Sequence, residues 1–107
     1  MPGKIVTIKS IEEFKTLTTN NVVIVDFYAI WCGPCKMISP KFEEMSIQPK
    51  YQNIRFAKVD VDDVPEIANE YQVQSLPTFM AFKNGKFAGE TKGANLDNLT
   101  KLVNSLV

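Results

Sequence analysis

A nearly continuous apolar run, Val22–Tyr28, most strongly limits what this chain can fold into. Asp26 is the only charged side chain within it. Such a run is typical of a strand that is covered on both faces, as in parallel sheets with helices on either side. We therefore expect this run to be the central strand of a sheet.

The residues before and after this run predict alternating strands and helices. Residues 5–8 form a short β-prone run, and Ser10 with Glu13 is a capping box that begins a helix ending near Thr18. A second helix is expected to start around Cys32. It contains Pro40, which removes one backbone donor and should kink the helix. The helix runs on through Met37, Ile38, Phe42 and Met45, and its Met and Phe side chains are predicted to pack into the core rather than around a cofactor.

The second half of the chain continues the alternation. Residues 54–60 predict a third strand, and a helix is expected between Asp63 and Tyr71. Two further strand-like runs flank Asn84-Gly85, a strong hairpin signal. Asn95 is expected to cap a last helix with one apolar stripe, predicted to lie in the core and formed by Leu96, Leu99, Leu102, Val103 and Leu106.

The predicted order of elements is therefore β-α-β-α-β-α-β-β-α. Parallel strands joined by helices, followed by a hairpin and a helix, indicate an α/β fold with three layers. This fold has a central mixed five-stranded sheet flanked by four helices. At 107 residues, the chain (1–107) is expected to form one domain with its own core.

Composition excludes several classes of function. The 12 basic and 12 acidic residues give zero net charge, so no basic surface for nucleic acid or anionic membrane is expected. No apolar run approaches the ~20 residues that span a bilayer. With no histidine and two cysteines, the chain cannot build a histidine-dependent nucleophile system, and a structural zinc site would lack ligands. The sequence begins without a signal-peptide pattern, and we expect a cytoplasmic protein.

Both cysteines lie in one motif, Trp31-Cys32-Gly33-Pro34-Cys35, directly after the central strand. Two thiols three residues apart at a helix start can share a disulfide, as in redox motifs. The helix N-terminus stabilises a thiolate at Cys32, which we expect to attack a substrate disulfide and form a mixed disulfide. Cys35, one turn further in and expected to be less exposed, then attacks Cys32 and releases the reduced substrate.

Other residues near the motif have expected roles in this chemistry. Asp26 is the best candidate for accepting the Cys35 proton, because the chain has no histidine. The alternative is a carboxylate near the strand end that hydrogen bonds or water satisfy. Gly33 allows close approach of a partner chain, and Pro34 stiffens the cysteine pair, which favours a reductase over an oxidant. Trp31 offers a flat apolar surface beside the nucleophile, or else packs in the core.

The chain resembles the thioredoxin family over essentially its whole length. Segments in family order and spacing include the cysteine motif with Lys36, and also residues 25–29, Pro40, residues 56–60, Leu76-Pro77-Thr78, Asn84-Gly85 and Gly93. The resemblance implies a general protein-disulfide reductase that acts on disulfide-containing client proteins. An NADPH-dependent thioredoxin reductase would reduce it again, so no cofactor or metal would bind to this chain, which is expected to be a monomer.

The resemblance also implies a substrate-binding surface. Pro77 should follow a cis peptide bond and face the disulfide, while the backbone of Ser75 and Leu76 should pair with an extended client segment. Lys58 should lie near Asp26 and tune its proton affinity. The apolar contact surface implied by the resemblance consists of Trp31, Gly33, Pro34, Pro77, Gly93 and Ala94. Ile30 departs from the family pattern and adds apolar surface beside the site.

Four alternative functions compete with this interpretation. A disulfide isomerase usually carries Gly-His between its cysteines, and a glutaredoxin carries Pro-Tyr, whereas this chain has Gly33-Pro34. A thioredoxin-fold binding module that holds a partner without redox turnover is the alternative from another class of function. A static structural disulfide is disfavoured, because so short a loop would stabilise the fold little.

Overall fold

The computed structural model describes residues 5–107. Its strands and helices follow the predicted order and confirm the three-layer α/β fold. The strands are β1 (Ile5–Thr7), β2 (Val22–Tyr28), β3 (Arg55–Asp60), β4 (Thr78–Lys83) and β5 (Lys86–Lys92). The helices are α1 (Ile11–Thr19), α2 (Gly33–Ser46), α3 (Pro65–Glu70) and α4 (Leu96–Asn104), with a short 3₁₀ helix at Pro49–Tyr51 that was not predicted.

The central position of β2 follows from its apolar sequence. The five strands are ordered β1-β3-β2-β4-β5, so β2 is the third of the five. It pairs in parallel with β3 and antiparallel with β4, which makes the sheet mixed. In the register with β3, Asp26 lies opposite Lys58, and Tyr28 lies opposite Asp60.

Each face of the sheet carries its own apolar core. Because side chains alternate along a strand, Val23, Val25 and Phe27 pack on one face, with side chains from α1 and α3. Ile24 lies on the other face, in a cluster that includes side chains of α2 and α4. Asp26 follows Ile24 by two residues, so it lies on the same face as Ile24, beneath the start of α2.

The predicted caps and hairpin are present. The N–H of Glu13 donates to Ser10 Oγ (3.1 Å), while Glu13 Oε1 accepts from the N–H of Lys9 (2.7 Å), one residue before the cap. At the β4–β5 turn, Asn84 and Gly85 have φ values of 50° and 85°, as a tight hairpin turn requires. On α4, the side chain of Asn95 accepts from the N–H of Asn98 (2.9 Å).

Two sequence-based expectations about helix side chains are wrong. Leu96 is 41% exposed and Met37 is 75% exposed, so neither packs in the core. Each lies in the first turns of its helix, on the side that faces solvent. The helix expected between Asp63 and Tyr71 is confirmed, because α3 begins at Pro65 and ends at Glu70, with Val64 as an N-cap that makes no side-chain cap bond. Within residues 5–107, no helix has the length and apolar content needed to cross a membrane.

Candidate active site

The site is built on a disulfide between Cys32 and Cys35 at the start of α2. Cys32 is the N-cap residue, and its Sγ accepts a hydrogen bond from the N–H of Cys35 (3.3 Å). The Cα atoms of the two cysteines are 5.3 Å apart. An N-cap position places a sulfur against the unpaired N–H groups and the positive end of the helix dipole, where a thiolate is stabilised.

The two cysteines are almost equally covered in this oxidised form. Cys32 is 5% exposed and Cys35 is 4% exposed, so the expected difference in exposure is very small here. Both pack with Ala29, and Leu76 lies against the same cluster. The expected difference in reactivity between the two cysteines therefore comes from their positions in the helix, because only Cys32 occupies the N-cap.

Asp26 is a buried carboxyl group on β2, on the same face as the start of α2. It is buried within the sheet, and its Oδ1 has no hydrogen-bond partner. Burial raises the pKa of Asp26 from 3.8 to about 7, and the nearby charge of Lys58 lowers it by a smaller amount. Within residues 5–107, no protein donor satisfies Oδ1 of this carboxyl group. A group with a pKa near neutrality can accept and release a proton at physiological pH.

A cavity of about 320 Å³ lies between this carboxyl group and Cys35. Asp26 and Cys35 both line it, so a proton or a water molecule has room to pass between them. Lys58, predicted to lie near Asp26, also lines the cavity, and its ammonium lies 5.6 Å from the centre of the Tyr28 ring. The other lining residues are Tyr28, Ala29, Ile30, Lys36, Ser39 and Pro40.

Trp31 lies on the surface beside the disulfide rather than in the core. Its side chain is 68% exposed, which rules out the core-packing alternative. The indole N–H donates a hydrogen bond to Asp62 Oδ2 (2.8 Å), and the N–H of Asp62 donates to Asp60 Oδ1 (2.9 Å). Sequence reasoning did not identify Asp62. The available signal was that β2 and β3 are parallel, so the loops after them lie at the same edge of the sheet.

The loop before β4 lies against the cysteine pair. Leu76 packs on the cysteine cluster, and the Leu76–Pro77 peptide bond is cis, as the family resemblance implied. The carbonyl of Pro77 accepts a hydrogen bond from the N–H of Gly93 (2.8 Å), which brings the residue after β5 to this loop. Ser75 is exposed, and Ala94 is half-buried against the α2–α4 core.

The structure thus brings two groups of the predicted residues together. Cys35, Asp26 and Lys58 share the cavity beneath α2. Pro77 and Gly93 are joined by a backbone hydrogen bond, and Leu76 connects them to the disulfide. Gly33 and Pro34 are exposed at the first turn of α2, where a partner chain can reach them.

Comparisons with known proteins agree with this geometry. The family model described as Thioredoxin matches residues 5–105. Human thioredoxin is 49% identical over 88 residues, covering 82% of each chain. Thioredoxin-2 of Pyricularia oryzae is 45% identical over 95 residues, which is 88% of this chain but only 54% of that longer relative.

Solved structures show the same fold. Malassezia sympodialis thioredoxin superposes with a TM-score of 0.92 at 41% identity, covering 98% of this chain and 93% of that one. Oxidised mitochondrial thioredoxin 3 of Saccharomyces cerevisiae gives a TM-score of 0.88 at 39% identity, covering 94% of each chain. A chain from a study of thiol resolution in yeast mitochondrial 1-Cys peroxiredoxin by the glutathione and thioredoxin systems gives 0.87 at 38% identity, also covering 94% of each. With its cysteine pair at the N-terminus of α2 and a family match over nearly the whole described chain, this protein belongs to the thioredoxin family.

Proposed function

We propose that this thiol–disulfide oxidoreductase reduces disulfides of client proteins by two exchange steps. In the first, the Cys32 thiolate attacks one client sulfur, forms a mixed disulfide and releases the other client sulfur as a thiolate that takes up a proton. In the second, the Cys35 thiolate attacks Cys32 Sγ, which forms the Cys32–Cys35 disulfide and releases the second client sulfur as a thiolate that also takes up a proton. The client gains two electrons and this chain loses two. The observation that carries the proposal is the Cys32–Cys35 disulfide at the start of α2.

Asp26 would act in the second step as the proton acceptor for Cys35. Its support is the shared cavity and a pKa raised to about 7 by burial. An ionised Asp26 can take the Cys35 proton directly or through one water molecule, and it can return the proton to solvent afterwards. Lys58 would tune this step, because its charge lowers the pKa of Asp26 whereas burial raises it.

Clients would bind across the exposed surface around Cys32. Trp31, Gly33 and Pro34 are exposed beside the disulfide. Ser75 is also exposed, and the backbone of the loop that contains it would pair with an extended client segment. The rest of the contact surface would consist of the half-buried residues Leu76, Gly93 and Ala94, together with Pro77, which is buried in this oxidised form. Peroxiredoxins are one candidate class of client, because a similar chain was solved in a study of their thiol resolution.

The reducing electrons would come from NADPH through a thioredoxin reductase. This chain would then bind neither NADPH nor flavin and would act as a monomeric carrier between the two partners. The test is NADPH consumption in a mixture of thioredoxin reductase, this protein and insulin as a disulfide substrate. Oxidation of NADPH that depends on this protein supports the proposal, and its absence with folded protein contradicts the reductase partnership.

A cytoplasmic location is the corresponding proposal for the compartment. Both cysteines are used in the redox pair, and a reducing compartment suits a chain with no further disulfide. Because one similar structure is mitochondrial, imaging of the tagged full-length protein should compare these two compartments. A mitochondrial signal would overturn the cytoplasmic proposal.

The decisive test of the mechanism is a trap for the mixed disulfide. Cys35→Ser should stay linked to clients through Cys32, because nothing resolves the bond. Mass spectrometry of adducts from a cell extract would then identify the clients. The matched control is Cys32→Ser with Cys35 intact, which should capture far fewer proteins. Equal capture by both variants would contradict the assignment of Cys32 as nucleophile, and no capture by folded Cys35→Ser would favour a binding module.

A further inference from the structure

We infer that Tyr28 is a positioning residue. Its ring holds the Lys58 ammonium away from Asp26 and so preserves the high proton affinity of the buried carboxyl group. The inference concerns three side chains on one face of the sheet. It rests on the proposed role of Asp26 as proton acceptor, although the positioning can be measured without any redox turnover.

The first step is the register between β2 and β3. Asp26 lies directly opposite Lys58 on these parallel strands, and paired strands lie about 4.8 Å apart. Side chains of such a pair project from the same face of the sheet. The Lys58 side chain is long enough to bring its ammonium to the Asp26 carboxyl group, so an ion pair is the arrangement that charge alone would favour.

The second step is that this ion pair is not formed. Within residues 5–107, the Lys58 ammonium lies more than 4.0 Å from the Asp26 carboxylate oxygens, and the ion pair that is formed joins Lys9 to Asp63. Asp26 Oδ1 has no hydrogen-bond partner at all. The Lys58 ammonium lies over the Tyr28 ring, 5.6 Å from its centre, which is within the range of a cation–π interaction.

The third step is that Tyr28 is fixed in place. It follows Asp26 by two residues on β2, so both side chains emerge on the face covered by α2. Its ring packs against the cysteine cluster and lines the same cavity as Asp26 and Lys58. Burial raises the pKa of the Tyr28 hydroxyl above its ordinary value of 10, with further contributions from Asp60, Asp26 and Asp63, so the ring stays neutral near pH 7.

The consequence concerns the charge of Asp26. An opposite charge within about 4 to 6 Å lowers the pKa of a carboxyl by about 1 to 3 units, whereas burial raises it. The charged or titratable groups that line the cavity with this carboxyl group are Tyr28 on β2, Lys58 on β3, and Lys36 and the disulfide-bonded Cys35 on α2. Asp60 lies opposite Tyr28, and Phe79 of β4, opposite Asp26, is apolar. Lys58 is the one cation placed to pair directly with Asp26 across the register. Holding Lys58 on the ring therefore protects the proton affinity of Asp26.

The test compares Tyr28→Leu, which removes the ring, with Tyr28→Phe, which keeps it. Carbon NMR of the Asp26 carboxyl in the oxidised protein reports its titration, with no thiol to complicate it. Tyr28→Leu should lower the proton affinity of Asp26 by roughly tenfold or more, because Lys58 can then approach the carboxyl. Tyr28→Phe should leave it unchanged. Equal behaviour of the two variants would overturn the inference.

A second pair of variants separates this effect from hydration of the cavity. In a Lys58→Met background no cation remains to move, so adding Tyr28→Leu should leave the Asp26 titration unchanged. If Tyr28→Leu still lowers the proton affinity of Asp26 without Lys58, the effect comes from water entering the cavity, and the positioning role is refuted. The acidic limb of the client-reduction rate in Tyr28→Leu should move with the Asp26 titration. An NMR shift without that movement would contradict Asp26 as proton acceptor, while leaving the positioning of Lys58 supported.

Discussion

Replacing Asp26 with asparagine should change the stability of the oxidised protein in a strongly pH-dependent way. The folded pKa of Asp26 is raised from 3.8 to about 7 by burial. Between these two values, the folded protein binds a proton at Asp26 that the unfolded chain does not bind. The free energy of unfolding therefore falls as pH rises through this interval, by about 1.4 kcal/mol per pH unit.

The size of the effect follows from the same two values. The interval between 3.8 and about 7 corresponds to about 4 kcal/mol. The stability that comes from the raised pKa of Asp26 is fully present below the unfolded pKa, and it is lost as pH rises through the folded pKa. Asp26→Asn removes the titration, so its free energy of unfolding relative to the unmodified protein should rise by about this amount across the interval. The intrinsic cost of burying asparagine adds a constant and does not change the slope.

The assay is urea denaturation of the oxidised protein at steps from about pH 4 to about pH 8, an interval that spans the folded pKa of about 7. The matched control is Glu44→Gln, which removes an exposed carboxylate from α2 and should change the free energy of unfolding by less than about 0.5 kcal/mol at every pH. A difference between Asp26→Asn and the unmodified protein that stays constant with pH would refute the reasoning. It would mean that Asp26 is hydrated or paired in solution.

Three further substitutions test the packing and the surface of the site. Leu99→Ala should lower the free energy of unfolding by about 2 to 5 kcal/mol in urea, because this side chain is fully buried between α4 and the sheet; a loss below 1 kcal/mol would show that the helix does not pack tightly there. Gly89→Ala should cost about 1 to 3 kcal/mol, because Gly89 has φ of 140° and a Cβ would lie 3.0 Å from Leu102 Cδ1; an unchanged denaturation midpoint contradicts this. Asp62→Ala should release the Trp31 indole and lower its fluorescence anisotropy, with only about 1 kcal/mol lost in stability; unchanged anisotropy would show that the hydrogen bond does not restrain the ring.

Most of the fold could be predicted because local and long-range signals agree. The apolar run of β2 indicated burial on both faces, and strict alternation along the strand placed Ile24 and Val25 in opposite cores. Short polar signals fixed the ends of elements, as Ser10 and Asn95 do at α1 and α4. Exposure at the first turn of a helix was harder to predict. Leu96 fits the apolar periodicity of α4, but this periodicity does not show which turns of the helix are covered by the sheet.

The sequence predicted those parts of the site that lie within one segment or that follow from family resemblance. The cysteine motif and Asp26 stand out within one segment, and Lys58 came from family resemblance. Asp62 and Tyr28 were missed because their roles depend on pairing between β2 and β3, which periodicity does not reveal. A strand register has to be known before Lys58 can be placed opposite Asp26 and its preference for the Tyr28 ring can be recognised.

The arrangement of β2 explains how one strand can serve both stability and chemistry. Val23, Val25 and Phe27 pack fully on the face away from α2, which anchors the strand in the core. The opposite face can then hold Asp26 despite the cost of burying a carboxyl group, because the rest of the strand supplies apolar burial. Since the cysteine motif follows directly after the strand, Asp26 stays at a fixed place behind the redox pair. The predicted gain in stability of Asp26→Asn at high pH measures the stability that the fold loses by holding the proposed proton acceptor there.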